Sequence, residues 1–84
     1  MKIPSFTTQF DKDIKQSEKR GKDLTKIKAI MFDIICENPL PPKNNDHPLE
    51  GNYKGHRECH IEPDWLLIYI FVSNEVRFVR NGTH

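Results

Sequence analysis

Residues 65–72, Trp-Leu-Leu-Ile-Tyr-Ile-Phe-Val, form a run of eight apolar or aromatic side chains, and no other stretch constrains the fold as strongly. The run is far too short to span a bilayer, and its β-branched and aromatic residues suit an extended strand. Because it is apolar at both parities, it reads as a strand buried on both faces, which places it centrally in a sheet. Glu62-Pro63-Asp64 before it and Ser73-Asn74-Glu75 after it are turn formers. Strands from Tyr53 to Ile61 and from Val76 to Arg80 are therefore predicted to pair with it as a meander. The pattern leaves open which parity faces the rest of the protein. Lys2 to Phe6 suits one more strand, which Pro4 confines to an edge where its missing N–H is not needed.

The first half supplies the cover for this sheet. Phe10 and Ile14 recur at helical spacing between Thr8 and Arg20, and Gly21 follows as a stop. Asp23 stands where an N-cap belongs. Leu24, Ile27, Ile30, Met31, Ile34 and Ile35 then predict an amphipathic helix to about Glu37, ended by Asn38-Pro39. Two such helices cannot bury both apolar stripes against each other, so they pack on the sheet. The expected fold is α+β in the order β-α-α-β-β-β, a helical hairpin on a small, mainly antiparallel twisted sheet. From Asn38 to Gly51, Pro39, Pro41, Pro42 and Pro48 predict a long irregular loop.

An 84-residue chain with 36% hydrophobic residues supports one thin core, so a single domain over residues 1–84 is expected and a repeat array or multidomain enzyme is excluded. No apolar run reaches membrane-spanning length, and residues 1–10 lack a signal-peptide layout, so the expected location is the cytoplasm. Cys36 and Cys59 have neither disulfide-scaffold nor metal-knuckle spacing and read as reduced structural thiols. A net charge of +1 gives no overall attraction to polyanions. Lys12, Lys15, Lys19, Lys22 and Lys26 recur at three and four, but interleaved acids make a solvated face the ordinary explanation.

The residues suited to chemistry gather in the second half. His47 lies in the Pro-rich loop, His60 near the end of the first meander strand, Asp64 four residues later and His84 after the last strand. Imidazoles titrate near neutrality and suit general acid–base work, while Arg57 and Arg80 suit bidentate phosphate binding. Phosphodiester cleavage is the chemistry such a set would serve. Against it stand ordinary structural roles: a loop histidine, a hydrogen-bonded strand histidine, arginines paired with Glu58 and Glu62, and a core Trp65. A zinc site built from His60, Asp64 and His47 or His84 is disfavoured, because Pro63 breaks the helical geometry that would make a four-residue spacing converge.

Five ordered blocks, Asp46-His-Pro-Leu49, Tyr53-Lys-Gly-His-Arg57, His60-Ile-Glu-Pro-Asp-Trp65, Leu67-Ile-Tyr69 and Arg80-Asn-Gly-Thr-His84, resemble the YafQ toxins of the RelE superfamily, as do Gln9-Phe-Asp-Lys-Asp13 and Lys19-Arg-Gly21. The resemblance spans nearly the whole chain and implies a RelE-like fold. It also implies the toxin of a bacterial toxin–antitoxin pair, a metal-independent endoribonuclease without cofactors that cleaves mRNA on the ribosome. Its partners would be a cognate antitoxin, in a hetero-oligomer, and mRNA. The resemblance further implies His47, His60, Asp64, Arg80 and His84 as the catalytic set. His84 would be the general acid, His60 or His47 the base, with those two roles exchangeable, Asp64 an assistant and Arg80 the phosphate ligand. Arg57, Trp65 and Lys54 are the expected RNA-binding residues. His56 stands where the family more often has an aromatic residue and is left out. The family also usually continues past Gly-Thr/Ser-His with a short tail containing a phenylalanine, and the sequence given ends at His84. The competing expectations are a gyrase-inhibiting, non-enzymatic toxin, against which the histidine set argues, and an inactive antitoxin-binding protein, which the missing tail leaves open.

Overall fold

The computed structural model describes residues 1–83; His84 lies outside them. The chain runs β1 (Ile3–Phe6), α1 (Thr8–Lys19), α2 (Leu24–Ile35), β2 (His47–Pro48), β3 (Arg57–Glu62), β4 (Trp65–Val72) and β5 (Glu75–Thr83). The sheet order β1-β5-β4-β3-β2 puts β4 in the middle, as its apolar run requires. Strands β2 to β5 pair antiparallel, and β1 joins β5 in parallel at the edge, where Pro4 is tolerated.

Local chemistry sets the helix ends. The Thr7 hydroxyl accepts from the Phe10 N–H and caps α1. At its other end Gly21 takes φ +79°, and the Gly21 and Lys22 N–H groups donate back to the Glu18 and Ser17 carbonyls in a Schellman closure. Asp23 caps α2 through the Thr25 N–H, as its position predicts. Helix α2 ends at Ile35, two residues before the expected Glu37. Glu37 instead adopts φ +61° and closes a second Schellman turn, with the Asn38 N–H donating to the Asp33 carbonyl.

Both helices cover the same sheet face. Phe10 of α1 and Ile27 and Ile34 of α2 pack with Cys59, Ile61, Trp65, Leu67, Tyr69, Val76 and Phe78. This decides the parity that the sequence leaves open: Leu67 and Tyr69 face the helices, while Leu66, Ile68 and Ile70 face away. Burial of β4 on both sides holds for 65–67 and fails further along. Ile68 and Ile70 are only half-buried, and Phe71 and Val72 are 42% and 41% exposed. The helix layer covers one face only.

Beyond the end of α2, three features differ from the sequence expectation. Strand β3 starts at Arg57, because residues 51–53 form a 3-10 turn and Gly55 takes φ +90°. Residues 38–51 are not wholly irregular: Pro42–Asn44 is another 3-10 turn and His47–Pro48 adds a short strand on β3. Strand β5 continues past Arg80 to Thr83, because a bulge interrupts its pairing with β4 without ending it. Tyr69 pairs with Phe78 and Ile68 with Arg80, so Val79 is the extra residue.

Ile34 is 3% exposed and belongs to the core, whereas Phe32 on the outer side of the same helix is 61% exposed. Ile34→Ala should destabilise by about 2–4 kcal/mol in urea unfolding, and Phe32→Ala by less than about 0.5 kcal/mol.

Candidate active site

The face turned away from the helices carries the polar chemistry. Strand register lines up His47, Glu58, Ile68 and Arg80 across β2, β3, β4 and β5, and beside this row lie His60, Leu66 and Gly82. Directly paired residues share a face, so His47, His60 and Arg80 all project from the open side. The two imidazole rings are 6.4 Å apart. His47 places Nδ1 2.6 Å from the Asn45 carbonyl and Nε2 3.4 Å from a Glu58 carboxylate oxygen, while Nδ1 of His60 lies 3.2 Å from the Pro63 carbonyl. An open cavity of about 230 Å³ lies over this face, lined by Tyr53, Leu66, Ile68, Arg80, Gly82 and Thr83, among others.

The bulge determines where Arg80 points. Under plain alternation from the inward-facing Phe78, Arg80 would face the helices; the extra Val79 returns it to the open side and turns Asn81 inward. Asn81 is buried, where its side-chain oxygen accepts from Ser17 Oγ at 3.1 Å and Trp65 Nε1 at 3.4 Å. Asp13 of α1 reaches both residues: it accepts from Arg80 Nε at 2.9 Å and Nη2 at 3.3 Å, and from the Asn81 N–H at 3.2 Å. Partial burial pushes the Asp13 carboxyl up, but hydrogen bonds from Arg80, Gln9 and the Asn81 backbone outweigh it and hold the carboxyl below its ordinary value. The same bond raises the Arg80 guanidinium further. Arg80 is thus a fixed cation whose exposed side remains available to an anion.

His47 is held from the opposite face of the sheet. Its neighbour Asp46 accepts from the Tyr69 hydroxyl at 2.6 Å and from Arg57 Nε at 3.3 Å, tying the proline-rich loop to the core. Burial and then the Asp46 bond push the Tyr69 phenol well up, so it remains a donor.

Several residues expected at the site are elsewhere. Arg57 pairs in register with the inward-facing Tyr69, and with Asp46 it lines a separate cavity on the helix side. Trp65 is fully buried and offers no face to a base, with Lys22 Nζ 5.7 Å from its ring centroid. Asp64 is 70% exposed in the β3–β4 turn, with its carboxylate 3.7 Å from Lys22 Nζ. Lys54 is exposed in the turn after Tyr53 and is not among the residues lining the cavity. His84 lies outside the described residues. Glu58 and Glu62, expected to pair with arginines, instead meet His47 and the lysines Lys22 and Lys26. Asp13, Asn81 and Tyr53 complete the site without having been singled out. Each lies within a motif block, Asp13 in Gln9–Asp13, Tyr53 in Tyr53–Arg57 and Asn81 in Arg80–His84, and that membership was the available signal.

Among the described residues, no group of three or more His, Cys, Asp or Glu is placed to hold a metal ion, and no helix is long and apolar enough to cross a membrane. Cys36 and Cys59 are free thiols; burial, then the Asp46 and Glu58 carboxylates, push Cys59 up to about 12 and leave it inert at neutral pH.

Comparison with known proteins agrees with this architecture. A family model described as the bacterial toxin of type II toxin–antitoxin systems, YafQ, matches residues 2–84. The chain is 46% identical over 80 residues to the mRNA interferase toxin YafQ of Escherichia coli strain K12, covering 94% of this chain and 87% of that protein. Its structure is similar to the crystal structure of YafQ from E. coli strain BL21(DE3), with a TM-score of 0.94, 42% identity and coverage of 100% of this chain and 94% of that one. It is also similar to a chain of the crystal structure of the E. coli DinJ–YafQ complex, with a TM-score of 0.92, 44% identity and the same coverages. The chain belongs to the YafQ family of toxins from bacterial type II toxin–antitoxin systems.

The depressed Asp13 carboxyl predicts a pH dependence. Below its unfolded value of 3.8 the unfolded chain takes up this proton first, so the stability Asp13 contributes is complete above that value and is lost as pH falls through the lower folded one. Asp13→Asn should therefore flatten the acid limb of a stability-versus-pH curve. An unchanged limb would show that the Asp13–Arg80 pair contributes nothing.

Proposed function

We propose that this chain is a cytoplasmic mRNA interferase, neutralised in a hetero-oligomer with a cognate antitoxin, that cleaves mRNA on the ribosome without a metal or other cofactor. The carrying observation is the grouping of His47, His60 and Arg80 on one sheet face, the imidazoles 6.4 Å apart. The name of the K12 relative supports the activity, and the DinJ–YafQ complex supports the partner.

The arrangement suits cleavage by the RNA's own 2′-hydroxyl. A base removes that proton, the 2′-oxygen attacks the adjacent phosphorus, and the 5′-oxygen leaves as it receives a proton from an acid. A 2′,3′-cyclic phosphate and a 5′-hydroxyl remain. His60 and Arg80 stand two strands apart and two residues apart along them, so about 12 Å separates their backbones, a span that two long side chains can close around a phosphate. We assign Arg80 to the phosphate, His60 to the base and His84 to the acid, those two roles being exchangeable, and Asp64 to orienting or assisting an imidazole. His47 shares the base role or replaces His60 in it. Groups that exchange protons and stabilise phosphorane charge supply the chemistry a metal would otherwise provide.

Purified chain added to ribosomes programmed with mRNA should cut the message, and the cutting should survive EDTA. Recovery of a chelated, inactive sample only on adding zinc or magnesium would overturn metal independence. His60→Ala should lower the single-turnover rate by about 10²- to 10⁴-fold, and Arg80→Lys, which keeps the charge but loses the planar fork, should also slow cleavage in a folded protein. Wild-type rates in folded His60→Ala would exclude His60 as the base.

A further inference from the structure

We infer that Tyr53 is the stacking platform for an RNA base beside the scissile phosphate. This rests on reading the open face as the RNA-cleaving face, and it follows first by elimination. The chain has five Phe, two Tyr and one Trp. Trp65, Tyr69 and Phe78 are buried among the inward-facing residues. Phe71 pairs with Val76 and Phe6 with Phe78, so both share the inward parity. Phe10 is buried on α1, and Phe32 lies on the outer side of α2. Tyr53 alone lines the cavity over Ile68, Arg80 and Gly82.

The ring is both available and fixed. Tyr53 is 37% exposed. Its ring stands edge-on to the His56 imidazole, with centroids 5.6 Å apart at 89°, so the neighbour braces the ring in a T-shaped contact. Its carbonyl accepts from the His56 N–H at 2.9 Å, and the Lys54 N–H donates to the Gly51 carbonyl at 3.1 Å, which locks the turn that carries it. The phenol adds a smaller interaction to the Arg80 guanidinium, so the ring and the proposed phosphate ligand are neighbours. A base and its adjoining phosphate are likewise neighbours on one nucleotide. Aromatic stacking tolerates any base, so Tyr53 would secure the strand without dictating sequence.

The test compares Tyr53→Phe, Tyr53→Leu and Tyr53→Ala by two measurements. The first is quenching of a 2-aminopurine placed next to the scissile position of a short, uncleavable 2′-O-methyl RNA; the second is kcat/KM on ribosome-bound mRNA. Wild type and Tyr53→Phe should quench the probe and cleave within about threefold of each other, whereas Leu and Ala should lose the quench and about 10- to 100-fold in kcat/KM. If Leu matches Phe in both measurements, or Ala matches wild type, the platform is not Tyr53. The quench needs no cleavage: a wild-type chain that quenches but never cuts would overturn the ribonuclease reading and leave the stacking site standing.

Discussion

The pairing of β4 with β5 contains one residue too many, and the arrangement of the site depends on it. Val79 has no partner on β4. Its presence lets Phe78 face the core while Arg80, two positions later, faces the opposite way. The carbonyl of Val79 also accepts from the Thr7 hydroxyl at 2.7 Å, the same hydroxyl that caps α1 through the Phe10 N–H. The start of α1 is therefore fastened to the bulge. One helical turn further, Asp13 meets Arg80 and the Asn81 N–H. The irregularity that aims the arginine also provides the attachment that holds it.

From that constraint the two faces of the sheet take separate roles. One face is covered by α1 and α2 and contains the buried core built on Trp65, Leu67, Tyr69 and Phe78. The other carries charged and titratable groups, His47, Glu58, His60 and Arg80, spaced by strand pairing. The faces are not independent. Asp46, anchored by Tyr69 and Arg57 on the helix side, precedes His47, which projects on the open side. Core packing thereby fixes the position of a histidine that sits in a proline-rich loop, without which conformational freedom there would scatter the site.

The features legible in the sequence were those set by local chemistry. Eight consecutive apolar residues identify the central strand, Gly21 and Asp23 delimit the helices, and Pro4 marks the edge strand. The five motif blocks identify the family and the histidines. What stayed hidden depends on long-range register. Val79 follows Phe78 as a second consecutive apolar residue and so breaks the alternation of β5, but that break alone does not separate a bulge from a strand apolar on both faces. The face on which Arg57 lies follows from its pairing with Tyr69, and the parity of Tyr69 was ambiguous because its strand is apolar throughout. Trp65 and Tyr53 illustrate the same limit: aromatic residues suit both a core and a base-stacking surface, and only the three-dimensional packing separates them.

The central claim is that RNA meets the face of the sheet turned away from the helices. Backbone amide shifts of 15N-labelled protein, followed during titration with an uncleavable 2′-O-methyl RNA, test it most directly. The account predicts perturbations centred on His60, Ile68, Arg80 and Gly82. Perturbations centred on Arg57, Phe71 and the outer surface of α2 would contradict it.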